Sequence, residues 1–390
     1  MRVLAFVLLL AACGDDPAVS DADTTATTDA DFTTDATTTT TDVTNDAPSL
    51  DVELPPEVIE PGDFPSTIAR YDLLETIAGR GLQNGDGNEW QASYEGGPAV
   101  TAELSSPHIA MADLAGNVYI ADKEAHAIRK VSPEGVITTV AGTNAPGNGS
   151  DTAGPGIDKA LSNPNGLWVR ADGVVYVLDT DNGKVRRLGA DGIMTTLFAV
   201  PGGIYEGRGL WVADDEGRAF VASRTKIIAW DPELGARVFA RGFTELGMLV
   251  MDPDGHLVAA DRGGNRVFRV SDDGGSTAIA GDGTKDGGDD GEPALEVGLD
   301  EVRAVWFLPN RGYFLGLHEG NDVWYVDPDG HAWLFLKGGD HQAHGGDGQN
   351  FRTAGKKISE VRAVTVDYAG NLIICENDFG FIRRLNRKAP

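Results

Sequence analysis

Apolar positions along this chain come in short runs closed by Gly or Asp-Gly, too brief for helices and matched to strands of a half-buried sheet. From about Ser66 onward the runs fall into a repeated layout: an apolar strand, a Gly turn, a second strand, a polar hairpin, a third strand rich in Arg and aliphatics, and a fourth strand. The first unit supplies Ile109–Ala112, Val118–Ala121, Ile128–Val131 and Val136–Ala141; the second gives Leu167–Val169, Val174–Leu178, Val185–Leu188 and Met194–Phe198. Leu210–Val212, Ala219–Ala222, Ile227–Trp230 and Arg237–Ala240 make the third, and three more start at Leu249–Met251, Val305–Leu308 and Val364–Val366. The turn glycines Gly116, Gly173, Gly217, Gly255, Gly312 and Gly370 stand 57, 44, 38, 57 and 58 residues apart. Six sheets at such spacings predict an all-β, six-bladed β-propeller of four-stranded blades, which makes residues 66–390 one domain despite their length.

The two ends of this region complement each other. Leu73-Leu74-Glu75-Thr76-Ile77-Ala78-Gly79 reads like the fourth strand Val136-Ile137-Thr138-Thr139-Val140-Ala141-Gly142, and the sixth unit stops at Leu385 without a fourth strand of its own. Pairing of this N-terminal strand with Ile382–Leu385 closes the last blade and removes two open edges. An open solenoid would instead need capping repeats, and none is visible.

Ahead of the domain the composition changes. Met1 and Arg2 precede the apolar run Val3 to Leu10 and the small-residue end Leu10-Ala11-Ala12-Cys13. This reads as a secretory signal peptide over residues 1–12, too short for a membrane span. Leu10-Ala11-Ala12-Cys13 resembles the bacterial lipobox, which implies lipidation of Cys13 as the first mature residue; the alternative is an ordinary signal with an incidental cysteine. Several acyl chains hold a protein to a bilayer where one does not. Gly14 after Cys13 implies the outer membrane of a bacterial cell envelope, although Asp15 follows next. Residues 14–65 hold twelve Thr and no Lys or Arg, so 13–65 reads as the lipidated Cys plus a disordered stalk. A flexible stalk of that length spans about 40 Å between its ends. The formal charge is −28; residues 1–65 hold fourteen acids and one base, leaving 46 acids against 31 bases, or −15, for the rest. Such a surface repels phosphate backbones and argues against nucleic-acid binding. With Cys13 lipidated no intrachain disulfide is possible, and Cys375, inside Leu372-Ile373-Ile374-Cys375, reads as a buried hydrophobe.

The phrases Gly116-Asn117-Val118-Tyr119-Ile120-Ala121-Asp122, Ile128-Arg129-Lys130-Val131 and Ile137-Thr138-Thr139-Val140-Ala141-Gly142 resemble the NHL repeat of bacterial six-bladed propellers. Glu95-Gly96-Gly97-Pro98-Ala99 and Asp290-Gly291-Glu292-Pro293-Ala294 are similar to that family's inter-blade loop. The resemblance covers about residues 70–388; it is weaker in blade three, whose hairpin is short, and in blade five, where Leu317 replaces the usual Asp. It implies a fold more than a chemistry, since propellers host binding, scaffolding and enzymes alike.

In a propeller the first strand of each blade lines the channel, and its opening residue sits near one mouth. That column reads His108, Asn165, Arg208, Gly247, Arg303 and Arg362. Three guanidiniums in one ring repel unless an anion or carboxylates offset them, and Arg forks suit carboxylate or phosphate oxygens. The column therefore predicts a site for an anionic ligand; the alternative is pairing with neighbouring acids such as Glu245 or Glu301. The repeated pairs Asp122 with Arg129, Asp179 with Arg186 and Glu376 with Arg383 read as structural, because a catalytic acid would normally be unique. Candidate metal ligands are His341 and His344 for zinc, and Asp286, Asp289, Asp290 and Glu292 for calcium, none of them with a complete ligand pattern. Trp168, Trp211 and Trp306, at one position of three first strands, are expected to fill the core between blades. Neither a nucleophile elbow nor a phosphate loop is present. Together these features predict a monomeric, lipid-anchored, non-catalytic binding or scaffolding module for a protein, peptide or small anion. The alternative is a metal-dependent hydrolase or lyase of the gluconolactonase or amidating-lyase propeller type, using His108, Asn165, His341 and His344.

Overall fold

The computed structural model describes residues 59–81, 87–339, 344–353, 355, 357–377 and 379–388. Cys13 lies outside them, as does the stalk up to residue 58. Six antiparallel sheets form, each with four main strands. Their innermost strands are Pro107–Ala112, Pro164–Val169, Leu210–Val212, Leu246–Met251, Val302–Phe307 and Val361–Val366. Each packs on the next, and the sixth packs on the first, so the ring is closed. Side chains from neighbouring blades, among them Ile120, Val177, Val258, Leu315 and Ile374, are fully buried. Two-residue strands from the inter-blade loops, Gly154–Pro155, Glu292–Pro293 and Gln349–Asn350, add a fifth member to three blades.

Closure follows the complementarity of the two ends. Strand Tyr71–Ala78 runs antiparallel to Phe381–Arg387 with Leu74 opposite Leu385, Thr76 opposite Arg383 and Ala78 opposite Ile382. Leu74, Ala78, Ile382 and Leu385 are fully buried. Just before this strand, Asp63 caps the helix Phe64–Ala69 by accepting from the Ser66 N–H at 2.9 Å. That helix is strapped to blade five, where Phe64 stacks on Trp333 with centroids 5.0 Å apart and the Tyr325 hydroxyl donates to the Gly62 carbonyl at 2.6 Å. Among the described residues no helix is long and apolar enough to cross a membrane. Cys375 is buried and unbridged.

One expectation needs correction and another needs extending. The left-handed turn residue is Gly in four blades, at Gly116, Gly173, Gly255 and Gly370 with φ of 81° to 85°. In blades three and five the equivalent residue is not Gly217 or Gly312 but the one before, Glu216 (φ 56°) and Arg311 (φ 71°). Their N–H groups close the turn on the carbonyl three residues back, as that of Gly116 does on Asp113. Gly312 is instead required by space, since a Cβ there would meet the Tyr325 hydroxyl at 1.9 Å. The tryptophans pack on the cores between adjacent blades, Trp168 on that of blades two and three and Trp211 on that of blades three and four, but they do more than fill those cores. Trp168 lies 6.2 Å from Trp211 and 6.1 Å from Trp306 between ring centroids. Blades two and five are not neighbours, so the second contact crosses the channel, and the aromatic side chains plug it.

Candidate functional site at the channel mouth

The repeat bends the chain in the same way as it enters each blade. Two residues ahead of each predicted channel position stand Ser106, Asn163, Glu206, Glu245, Glu301 and Glu360. All but Glu245 adopt positive φ, from 42° to 57°, a conformation that costs a non-glycine residue about 1 kcal/mol or more and clusters at functional sites. The following strand then opens on a β-bulge in five of the six blades: the register slips between Pro107 and Ala110, Pro164 and Gly166, Leu246 and Leu249, Val302 and Ala304, and Val361 and Ala363. His108, Asn165, Gly247, Arg303 and Arg362 are the bulged residues. A bulge re-aims a side chain away from the pleat, here toward the ring axis.

His108, Asn165, Arg208, Arg303 and Arg362 line one small cavity, completed by Ile109 and Met248. Every blade contributes to it, which places it on the axis. The predicted alternative of pairing with acids holds for two of the three arginines. Arg208 Nη1 meets Glu245 at 2.7 Å from the next blade, and Arg362 Nη2 bonds Glu360 of its own blade. Glu301 is taken by Arg262 at 2.7 Å and Lys285 at 2.9 Å.

Arg303 is different. Four arginines, Arg129, Arg186, Arg303 and Arg383, are the largest fully buried side chains among the described residues. Three of them are ion-paired, with Asp122 at 2.9 Å, Asp179 at 3.0 Å and Glu376 at 3.0 Å. These acids also accept the N–H of Ser105, Ser162 and Ser359, tying down the loop that enters their own blade. Arg303, 2% exposed, makes no ion pair with any described residue, and its Nη1 has no hydrogen-bond partner. Arg208 Nε, Arg362 Nε and Asn165 Oδ1 are buried without a hydrogen-bond partner as well, and so is Arg208 Nη1, whose approach to Glu245 is an ion contact without hydrogen-bond geometry. Burial, reinforced by Arg362, Arg208 and Arg262 and only partly offset by the Glu360 carboxylate, pushes the Arg303 guanidinium well below its usual range. Arginine does not give up its proton in proteins, so relief has to come from a negative charge. His108 adds none of its own positive charge: burial and then Arg303 and Arg362 hold its ring neutral. Its Nδ1 lies 2.9 Å from the Ser106 carbonyl, which can only accept, so Nδ1 carries the proton.

The other candidates are placed elsewhere. His344 stacks against Phe379 and Phe381, each ring centroid 4.5 Å away, and does not line the cavity; His341 lies outside the described residues. Asp290 accepts the Leu334 N–H at 2.7 Å and Glu292 that of Asp289 at 2.9 Å. No three of Asp286, Asp289, Asp290 and Glu292 bring ligand atoms together. The grouping that could hold a metal among the described residues is Glu301, His318 and Glu319, whose ligand atoms lie within 4.8 Å of one another. Arg262 and Lys285 already bond Glu301, so a cation there would displace two positive groups. Sequence reading missed this grouping and the recurrence of a glutamate ahead of each channel arginine. The signal was present as a repeated Glu-x-Arg at Glu206 and Arg208, Glu301 and Arg303, and Glu360 and Arg362.

No protein-family model matches this chain, and no curated protein matches it in sequence. Solved structures do match in shape. A protein of unknown function from Bacteroides thetaiotaomicron superposes with a TM-score of 0.64 at 14% identity, over 81% of this chain and 76% of that one. An auxiliary nutrient binding protein from the same organism gives 0.59 at 15% identity, over 82% and 77%. A gluconolactonase from Xanthomonas campestris gives 0.52 at 14% identity, over 83% and 93%. Likeness at this level of identity speaks to architecture alone, and the architecture it shows agrees with the repeats and the ring: the chain is a six-bladed β-propeller.

Proposed function

We propose that this protein is an exported, lipid-anchored binding propeller that takes the anionic part of a protein, peptide or small-molecule ligand at its channel mouth, without catalysing a reaction. The observation that carries this reading is Arg303, a buried guanidinium that makes no ion pair with any described residue and lines one cavity with Arg208 and Arg362. Burying an unpaired charge costs several kcal/mol, and a ligand anion offsets that cost. Leu10-Ala11-Ala12-Cys13 supports the lipid anchor, in an envelope whose outer membrane Gly14 favours, and the likeness to a nutrient binding propeller is compatible with a binding role. Calorimetric titration of the protein and of Arg303→Ala with short carboxylates and inorganic phosphate tests the site. Binding by the native protein alone is the expected result; equal or absent heats in both would end the proposal.

A second reading, a metal-dependent hydrolase or lyase, is favoured by one observation, the convergence of Glu301, His318 and Glu319. A stoichiometric divalent metal in the purified protein that is lost in His318→Ala would shift the preference to it.

A further inference from the structure

The size of the axial cavity and the spread of its donors over three blades narrow the occupant, on the reading above that the ring takes an anion. The centre of a water-sized sphere has about 10 Å³ to move in there, the room of about one water molecule. The next stretch of channel, between Met111, Leu167, Trp168 and Leu210, admits none, so nothing larger can extend inward. A carboxylate brings three heavy atoms and a phosphate five, and neither fits inside as a whole. The donors without a hydrogen-bond partner, Arg303 Nη1, Arg208 Nε and Nη1, and Arg362 Nε, belong to residues of blades five, three and six that line the space. A sphere accepts donors from every side, whereas a carboxylate accepts them in one plane. Charge points the same way. Glu245 is in ion contact with Arg208 and Glu360 bonds Arg362 Nη2, which leaves Arg303 as the one arginine of the ring without an ion-paired carboxylate among the described residues.

We propose that the cavity holds a single monatomic, monovalent anion of the halide class, with chloride as its ordinary occupant, bound as the counter-ion of Arg303 and bridging blades three, five and six through Arg208, Arg303 and Arg362. A divalent anion would add a second negative charge close to Glu245 and Glu360 and is disfavoured. An organic ligand with a carboxylate has to displace this ion at the mouth. Because the ion joins blades that are separate in the unfolded chain, its binding raises the unfolding temperature in proportion to the logarithm of its concentration above the dissociation constant.

The test is the unfolding temperature of the protein at constant ionic strength and pH, with sodium isethionate, too large for the cavity, replaced stepwise by chloride, bromide, acetate or phosphate. Crystals soaked in bromide and measured at the bromine edge supply an independent readout. Chloride and bromide should raise the midpoint linearly in the logarithm of their concentration, acetate and phosphate should fall short of them, and an anomalous peak should lie between Arg208, Arg303 and Arg362. Arg303→Met should weaken halide binding at least tenfold. A larger rise with acetate or phosphate would overturn the halide assignment while leaving an anion site in place. Indifference to all four anions with no bromide peak would overturn both readings, and if Arg303→Met fails to fold, the bromide peak in the native protein still decides.

Discussion

Replacing Leu74 by Ala tests whether the ring is closed by the N-terminal strand in the observed register. Leu74 is fully buried opposite Leu385, while its neighbour Leu73 is 36% exposed on the other face of the same strand. Removing three buried carbons costs about 2.4 kcal/mol in transfer free energy, and the residual cavity brings the loss to roughly 3 kcal/mol or more. Leu73→Ala gives up a side chain that is only about two-thirds covered and leaves no enclosed cavity, and should cost about 1.5 kcal/mol, half as much. For a domain of this size 3 kcal/mol corresponds to a fall in unfolding temperature of roughly 6 °C, given about 2 °C per kcal/mol in large domains. Urea unfolding followed by tryptophan fluorescence reads both variants, since Trp168, Trp211 and Trp306 meet across the channel and report its opening. Similar losses in the two variants would refute the pairing, because slipping a strand by one residue exchanges its faces. A loss below about 1 kcal/mol in Leu74→Ala would show that the strand is not seated in the core.

Three further outcomes are expected. Asp122→Ala leaves Arg129 buried without its partner, 2.9 Å away in the native protein, and should cost about 3–5 kcal/mol in urea unfolding, most of it recovered when Arg129→Met is added. Gly142 and Gly135 both have positive φ, yet a Cβ on Gly142 would meet the His126 carbonyl oxygen at 2.2 Å while one on Gly135 meets nothing within 4 Å; Gly142→Ala should therefore lower the unfolding temperature clearly more than Gly135→Ala. Burial pushes the Glu301 carboxyl up, but bonds from Lys285 and Arg262 outweigh it and hold it down at about 2, against 4.5 ordinarily. A depressed folded value stabilises above the unfolded one, so this contribution should be complete above about pH 4.5 and fade as the pH falls toward 2. Unfolding midpoints in that window should fall less steeply for Glu301→Gln than for the native protein.

Much of the fold was legible because propeller blades are local. A strand, a turn and a hairpin are each set by neighbours in the chain, so alternation and turn residues reveal them one at a time. The closing strand was legible for a related reason: Leu73 to Gly79 repeats the lettering of a fourth strand where none is due, and blade six lacks one. The channel column was readable by alignment of the repeats, and the lining of a single cavity by His108, Asn165, Arg208, Arg303 and Arg362 follows from that alignment. Reading failed at Gly217 and Gly312, where Glu216 and Arg311 take the left-handed conformation because the surrounding turn imposes it on whatever residue stands there.

What the sequence determined by itself is the repeat: six four-stranded units, the exchange of strands that joins the ends, and which residues point to the axis. What only the tertiary structure decided is who meets whom at that axis. Arg208, Glu245, Arg262, Glu301, Arg303 and Glu360 come from four blades, and no spacing along the chain says that Glu245 goes to Arg208, Glu301 to Arg262 and Lys285, and that no described carboxylate ion-pairs with Arg303. Pairing among charges depends on distances of a few ångströms between segments far apart in sequence, set by bulges, left-handed residues and the tilt of whole blades. The same holds for the tryptophans, whose identical positions in the repeat imply a shared environment, while ring closure brings Trp168 and Trp306 together across the channel.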